Sequence, residues 1–326
     1  MHLDKIWSGR SDTESEDSKR IYNIVQFADD DGASLNDYQN ATALLGFCCD
    51  EGVKRNQGRI GAASAPNEIK RILANLPAHQ HQVVYDAGNV ECLNGEMEQA
   101  QHELSNKITD LLQSNAFPIV LGGGHEVAYA SFMGLQQYLD AVGDQRAILI
   151  INFDAHFDLR TNREPNSGTS FNQIAEFCAS RNQPFTYHCY GVSQLSNTAN
   201  LFTRAKQLNV NYILDTDMQE RFLEKNISLL EQTLEKYDHV YLTVDLDVLP
   251  AYICPAVSAP AAYGVSLVVL EEMIKVIRDS KKLRVADIAE YNPRFDQDSI
   301  TGKVAARIAY TLFSKTTATT TATTMF

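Results

Sequence analysis

Two short apolar runs in this chain each end in a cluster of acidic residues, and that pairing restricts the fold more than any other feature. The first is Ile148-Leu149-Ile150-Ile151-Asn152-Phe153, which leads into Asp154-Ala155-His156-Phe157-Asp158. Residues i and i+2 of an extended chain point to the same side, so Asp154 and His156 converge, and a turn can bring Asp158 back to them. Taken alone, this is a capped strand end, since aspartate is common in turns. The second run, Tyr241-Leu242-Thr243-Val244, leads into Asp245-Leu246-Asp247. Runs this apolar on both faces suit a parallel sheet covered by helices on each side. The carboxyl ends of such strands share one edge, where ligands bind. Four carboxylates gathered there repel one another unless cations neutralise them. Metal binding is the favoured reading.

Further short apolar runs at 43–48, 82–85, 119–121, 147–153, 186–190, 211–214, 240–244 and 285–289 are candidate strands. Helix-like stretches separate or follow them at 66–76, 96–114, 126–139, 171–180, 198–207, 219–236, 266–279 and 302–314. This alternation predicts an α/β fold, a single three-layer α/β/α domain whose mainly parallel sheet has about eight strands. The domain is expected over residues 36–315, after an N-terminal extension (1–35) and before a threonine-rich, low-complexity tail (316–326).

Hydrophobic residues make up 44% of the 326, ample for a buried core. A formal charge of −13 argues against nucleic acid as a partner, so an anionic substrate must be drawn in by local arginines. No apolar run approaches the ~18–20 residues that span a membrane, and the polar, acidic start has no signal-peptide core. The six cysteines lack C-x-x-C spacing, and Cys254, after the second acidic motif, has nothing beside it to activate a thiolate. The expected compartment is the cytoplasm.

A third element is Pro118-Ile119-Val120-Leu121-Gly122-Gly123-Gly124-His125-Glu126. It lacks the Gly-Lys-Ser/Thr of a phosphate loop, and Tyr129 stands where a zinc-protease helix needs its second histidine. The better reading lets the glycines bring the backbone close to the site while His125 reaches the ions. Four aspartates and two histidines, with no thiolate, favour Mn²⁺ over Zn²⁺. Six such ligands suit two ions about 3.5 Å apart, which lower the pKa of a bridging water and supply hydroxide near neutral pH. Hydrolysis is the chemistry implied.

These elements, in this order, resemble the ureohydrolase family of arginase, agmatinase and their relatives, from about Leu45 to Leu312. The resemblance implies an arginase-like fold. It implies that His125, Asp154, Asp158 and Asp245 hold one ion and Asp154, His156, Asp245 and Asp247 the other, with Asp154 and Asp245 bridging. Asp287-Ile288-Ala289-Glu290-Tyr291-Asn292-Pro293 looks like the family's last motif, whose glutamate, here Glu290, pairs with an amidinium or guanidinium. Trimers or hexamers are implied on the same ground.

Several segments look closer to the branch of the family that hydrolyses N-formimidoyl-L-glutamate to L-glutamate and formamide in histidine degradation. They include Trp7–Asp12, Arg55-Asn56-Gln57-Gly58-Arg59-Ile60-Gly61-Ala62, Asp158-Leu159-Arg160 and Ser167-Gly168-Thr169-Ser170-Phe171. Leu249 replaces the acidic residue that commonly precedes the proline after Asp-x-Asp, and Phe171 stands where arginases carry a proton-shuttling histidine. The leaving amine must then be protonated from elsewhere, such as by the attacking water itself. Metal-bridging hydroxide would attack the formimidoyl carbon while Glu290 orients the amidinium. Arg160 is the best candidate for a substrate carboxylate, with Asn166, Ser167 and Tyr263 as further contacts and Arg59 as a weaker one. Arg55 and Arg59 can equally pin an early loop. A guanidine-hydrolysing ureohydrolase is the first alternative, and a non-catalytic, metal-stabilised arginase-fold protein is the second.

Overall fold

The apolar runs become strands of one sheet. In the computed structural model, residues 6–11, 15, 18–27, 38–79, 83–161 and 164–314 are described. Nine strands follow one another as β1 (Val25–Phe27), β2 (Thr42–Cys48), β3 (Val84–Glu91), β4 (Phe117–Leu121), β5 (Ile148–Phe153), β6 (Thr186–Val192), β7 (Asn211–Leu214), β8 (His239–Asp245) and β9 (Leu283–Ala289). Their spatial order is β1-β3-β2-β4-β9-β8-β5-β6-β7, and every pairing is parallel. β2, β5 and β8 are buried along their whole length, as two-sided apolar runs require.

Helices cover both faces. On one lie α2 (Ala65–Ala74), α7 (Leu223–Leu234), α8 (Leu267–Asp279) and α9 (Ile300–Phe313), packed through residues such as Leu73, Leu234, Ile274 and Ile308. On the other lie α3 (Met97–Gln113), α4 (Val127–Ala141), α5 (Ser170–Ser180) and α6 (Ala199–Gln207), packed through Leu104, Leu135, Ile174 and Leu201. Local sequence sets several ends. Ser266 accepts a hydrogen bond from Val269 N–H at the start of α8. Asn115, Asn182 and Asn209 adopt left-handed backbone just past α3, α5 and α6, a conformation that asparagine tolerates better than most residues.

The chain starts at one edge with β1, lays β2 and then β3 on that flank, passes to β4, and winds outwards through β5, β6 and β7 on the other. β8 and β9 then return to fill the centre, so β4, β9, β8 and β5 are neighbours. The crevice at the carboxyl ends of these central strands lies where the winding reverses, the place where such sheets bind ligands.

All eight anticipated strands are present, and β1 adds a ninth at the edge. It lies inside the segment set apart as an N-terminal extension, together with Trp7, Ile21 and Val25, which pack into the core. The described portion of that segment thus contributes a strand and core side chains; a three-residue strand is too short to show periodicity. The threonine-rich tail lies outside the described residues. A short helix, α1 (Glu51–Arg55), was also not anticipated.

A buried ion pair fastens the start of the chain to this sheet. Lys70 Nζ on α2 is 2.5 Å from Asp86 Oδ1 on β3, and both side chains are fully buried. Lys70 also donates to Gly88 O and Asn89 Oδ1, while Trp7 Nε1 donates to Asp86 Oδ2 at 2.7 Å. Asp86→Ala leaves the Lys70 charge buried and uncompensated, so unfolding in urea should show a loss of about 3–5 kcal/mol. The double variant with Lys70→Met should recover most of it.

Candidate metal centre

Four adjacent strand ends build the site. β5 runs into Asp154, His156 and Asp158, and β8 into Asp245 and Asp247; β4 is followed by the glycine turn and His125, and β9 by Glu290. The ladder continues past β4 and β9, where Gly122 N–H donates to Ile288 O and Glu290 N–H to Gly123 O, both at 2.8 Å. A Cβ on Gly123 would fall 1.7 Å from Cys49 O, so only glycine lets the turn pass here. Asp158 and Glu290 both adopt positive φ, 48° and 70°, conformations that surrounding structure must hold in place.

The side chains converge as the strand periodicity requires. His125 Nδ1 is 3.1 Å from Asp154 Oδ2, 2.9 Å from Asp158 Oδ2 and 3.2 Å from Asp245 Oδ2. His156 Nδ1 is 3.4 Å from Asp154 Oδ1 and 3.0 Å from Asp247 Oδ2. Two sets thus have the spacing of metal ligands, His125–Asp154–Asp158 and Asp154–His156–Asp247, each with its ligand atoms within 4.8 Å, and Asp154 belongs to both. Although buried among three carboxylates, His125 Nδ1 forms no hydrogen bond with a described residue. Its Nε2 is bonded to Thr243 Oγ1 at 3.0 Å. A proton on Nε2 leaves Nδ1 as a free lone pair aimed at the acidic cluster, which is how an imidazole is oriented towards a cation. The donor set therefore fits a pair of divalent ions.

Other buried groups fix the carboxylates. Asn152 Nδ2 donates to Asp154 Oδ2 at 3.0 Å, and His156 N–H to Asp154 Oδ1 at 2.6 Å. Asp247 N–H donates to Asp245 Oδ1 at 2.9 Å. Asn197 accepts from Phe157 N–H and donates to Ala155 O, clamping the loop that carries His156. Thr243, Asn152 and Asn197 were not singled out from sequence. The polar interruptions Asn152 and Thr243 within two apolar strands were the available signal for the first two; Asn197 gave none.

Charge crowding is plain in the titration of the cluster. Burial and repulsion from neighbouring carboxylates push Asp158 and Asp245 up; burial also raises Asp247. Burial also raises Glu290 to about 8, helped by nearby Glu126. Burial would raise Asp154 too, but the two imidazoles flanking it hold it below the usual carboxylate range. Both imidazoles are raised well above the ordinary histidine value despite burial, because carboxylates surround them.

The cluster forms the floor of a cavity of about 410 Å³ whose wall includes Glu290, Arg160 and Ser167. Glu290 Oε1 accepts from His125 N–H at 2.9 Å. The Arg160 side chain makes no hydrogen bond or ion pair among the described residues, which leaves a partly buried guanidinium facing an acidic floor. Three expected contacts do not line the cavity. Asn166 is consumed in its own loop, accepting from Gly168 N–H and donating to Glu164 O. Tyr263 does not line the cavity and is 54% exposed. Arg59 stacks on Phe295 instead of entering the cavity. Phe171, at the place of the shuttle histidine, is buried against Tyr187 and edge-on to His125. Burial pushes the Cys254 thiol up, so it offers no nucleophile.

Residues 40–314 match the model of the arginase family. This chain belongs to the arginase family. Among its relatives, the formimidoylglutamase of Cupriavidus pinatubonensis is 52% identical over 94% of this chain and 96% of its own. That of Aeromonas salmonicida is 48% identical over 94% and 96%. The arginase fold is matched by the crystal structure of a formimidoylglutamase from Bacillus subtilis, with a TM-score of 0.79 at 21% identity over 95% of this chain and 96% of that one. A Trypanosoma cruzi formiminoglutamase with Mn²⁺ matches at a TM-score of 0.72 and 23% identity, over 84% and 92%. Among the described residues of this arginase-family chain, no helix is long and apolar enough to cross a membrane.

Two outcomes follow for the metal-free protein. Removing the Nε2 partner with Thr243→Val should weaken divalent-cation binding by about 10–100-fold in a calorimetric titration. Groups with raised values bind more protons folded than unfolded, so stability should fall as pH rises from the ordinary carboxylate range to about 8, where Glu290 ionises. The imidazoles act in the same direction and Asp154 against it. Melting temperatures measured across pH in chelator should show this decline, and added Mn²⁺ should flatten it by replacing the protons.

Proposed function

We propose that this protein hydrolyses N-formimidoyl-L-glutamate to L-glutamate and formamide, using two Mn²⁺ ions held by His125, Asp154, His156, Asp158, Asp245 and Asp247. The observation that carries the reading is the Arg160 guanidinium, unpaired among the described residues, in the same cavity as the acidic cluster and Glu290. An amidine at one end of the substrate and carboxylates at the other match that polarity. Relatives about half identical over nearly the whole chain bear the name of this activity.

The ions would supply Lewis acidity and lower the pKa of a water that attacks the formimidoyl carbon. The protein's own residues orient the substrate. Glu290, fixed through His125 N–H, accepts hydrogen bonds from the amidinium and sets the carbon above the cluster. A cation beside Glu290 favours its ionised form, offsetting the burial that raises it. Arg160 binds a substrate carboxylate bidentately, and Ser167 offers a hydroxyl beside it. With Phe171 buried away from the cavity, the proton for the departing amine of glutamate comes from the attacking water. The six free cysteines suit a reducing compartment, so we place the enzyme in the cytoplasm, as a trimer or hexamer by its family resemblance.

Purified protein loaded with Mn²⁺ should release glutamate and formamide from formimidoylglutamate in a coupled assay. Asp247→Ala and Glu290→Gln should each lower kcat by at least about 100-fold, with the fold retained by circular dichroism. Urea release from arginine or agmatine in preference would overturn the substrate, and inactivity across a panel of amidines and guanidines would favour a structural role for the metals.

A further inference from the structure

The helix α1 is a single short turn-and-a-half, yet it is anchored at both ends. Its first turn is held by Glu126, the residue after His125, whose Oε1 accepts from Gly52 N–H at 3.0 Å. Its last turn is held by Arg55, which donates to Pro165 O at 3.1 Å and pairs with Glu98 at 2.6 Å and Glu164 at 3.6 Å. The helix therefore bridges the metal-ligand loop and the loop of Ser167, and the next residue, Asn56, lines the cavity.

Asn56 caps α1 with its backbone, whose N–H bonds to Gly52 O and Lys54 O, which leaves its side-chain amide for other partners. Instead Asn56 Nδ2 lies 3.2 Å from Ser167 Oγ, across 111 residues of chain. The missing side chain of Gly168 makes room for this meeting. A Cβ there would come within 3.1 Å of Asn56 Nδ2 and within 3.1 and 3.2 Å of Arg160 Cδ and Nε. Arg160, Ser167 and Asn56 thus surround one point on the cavity wall. Arg55 is engaged by carboxylates, so the positive charge available at that point is that of Arg160.

We propose that Asn56 is a specificity-determining residue, its amide completing with Arg160 and Ser167 a cradle for one carboxylate of the substrate. The inference rests on the reading of the site as one for formimidoylglutamate. A carboxylate bound bidentately by Arg160 still has lone pairs to satisfy. The second hydrogen of Asn56 Nδ2 and the Ser167 hydroxyl supply donors for them. An aspartate at position 56 has nearly the same shape but sets negative charge against the substrate's own, so the site excludes it electrostatically.

Mn²⁺-loaded wild type, Asn56→Ala and Asn56→Asp are compared on N-formimidoyl-L-glutamate and on the tail-less amidine N-methylformamidine. Loss of one hydrogen bond to a charged group should raise KM for formimidoylglutamate about 10-fold in Asn56→Ala, with kcat within about two-fold. Asn56→Asp should raise it about 100-fold or more, and the inhibition constant of the product L-glutamate should rise in parallel. Turnover of N-methylformamidine should be unchanged in both, which a variant that merely loosened the loop would not show. KM and product inhibition like those of wild type in either folded variant, or equal losses on the tail-less amidine, would overturn the inference. A wild type inactive on formimidoylglutamate would instead refute the reading of the whole site.

Discussion

Four aspartates, three of them buried and Asp158 partly so, face two imidazoles, and the rest of this structure depends on that constraint. Asp154, Asp158, Asp245 and Asp247 lie close enough that burial and mutual repulsion raise three of them, while the imidazoles hold the fourth down. Such a cluster is tolerable only with protons or cations between its oxygens. The surrounding protein then has one task, to keep the ligand atoms from relaxing apart. Asn152 and backbone N–H groups hold Asp154 and Asp245, Thr243 turns His125, and Asn197 clamps the connecting loop. Each of these is a neutral donor or acceptor, so the cluster is fixed without being neutralised.

The sheet makes this possible because all its strands are parallel. Their carboxyl ends open on one side, and β4, β9, β8 and β5 stand next to one another at the reversal of the winding. Each contributes at least one side chain to the site. An antiparallel neighbour would have sent half of those groups to the opposite edge. The β8 and β9 returns serve the core and the site alike, for they also insert Asp245, Asp247 and Glu290 between groups delivered much earlier in the chain.

The cavity is polarised along its depth. Its floor is acidic and suited to cations; its wall carries Glu290 and, opposite in charge, Arg160 with Ser167. In a chain with a net charge of −13, an arginine left without a carboxylate partner among the described residues sets a local positive field against the acidic floor. That polarity is what distinguishes a substrate with an anionic tail from a guanidine with a second positive charge, and it agrees with the names of the relatives that share half of this sequence.

The convergence of the acidic cluster was legible in the sequence because strand geometry is local. Residues 148–153 and 241–244 are apolar on both faces, and the i, i+2 spacing of Asp154 with His156 and of Asp245 with Asp247 fixes a common side without knowledge of the partner strand. The same logic found eight of the nine strands among the described residues; β1, only three residues long, carries too little pattern to be seen. Asn166 and Tyr263 do not line the cavity, and polar loop residues have no period that tells inward from outward; one is spent on its own turn and the other faces solvent. The contacts between distant segments belong to the tertiary structure alone. Thr243 meets His125 across 118 residues and Asn56 meets Ser167 across 111, encounters set by the order of strands in the sheet and by the anchoring of α1. Local spacing determined which atoms can bind an ion; only the packed sheet decided which other atoms hold them there and what stands at the far end of the cavity.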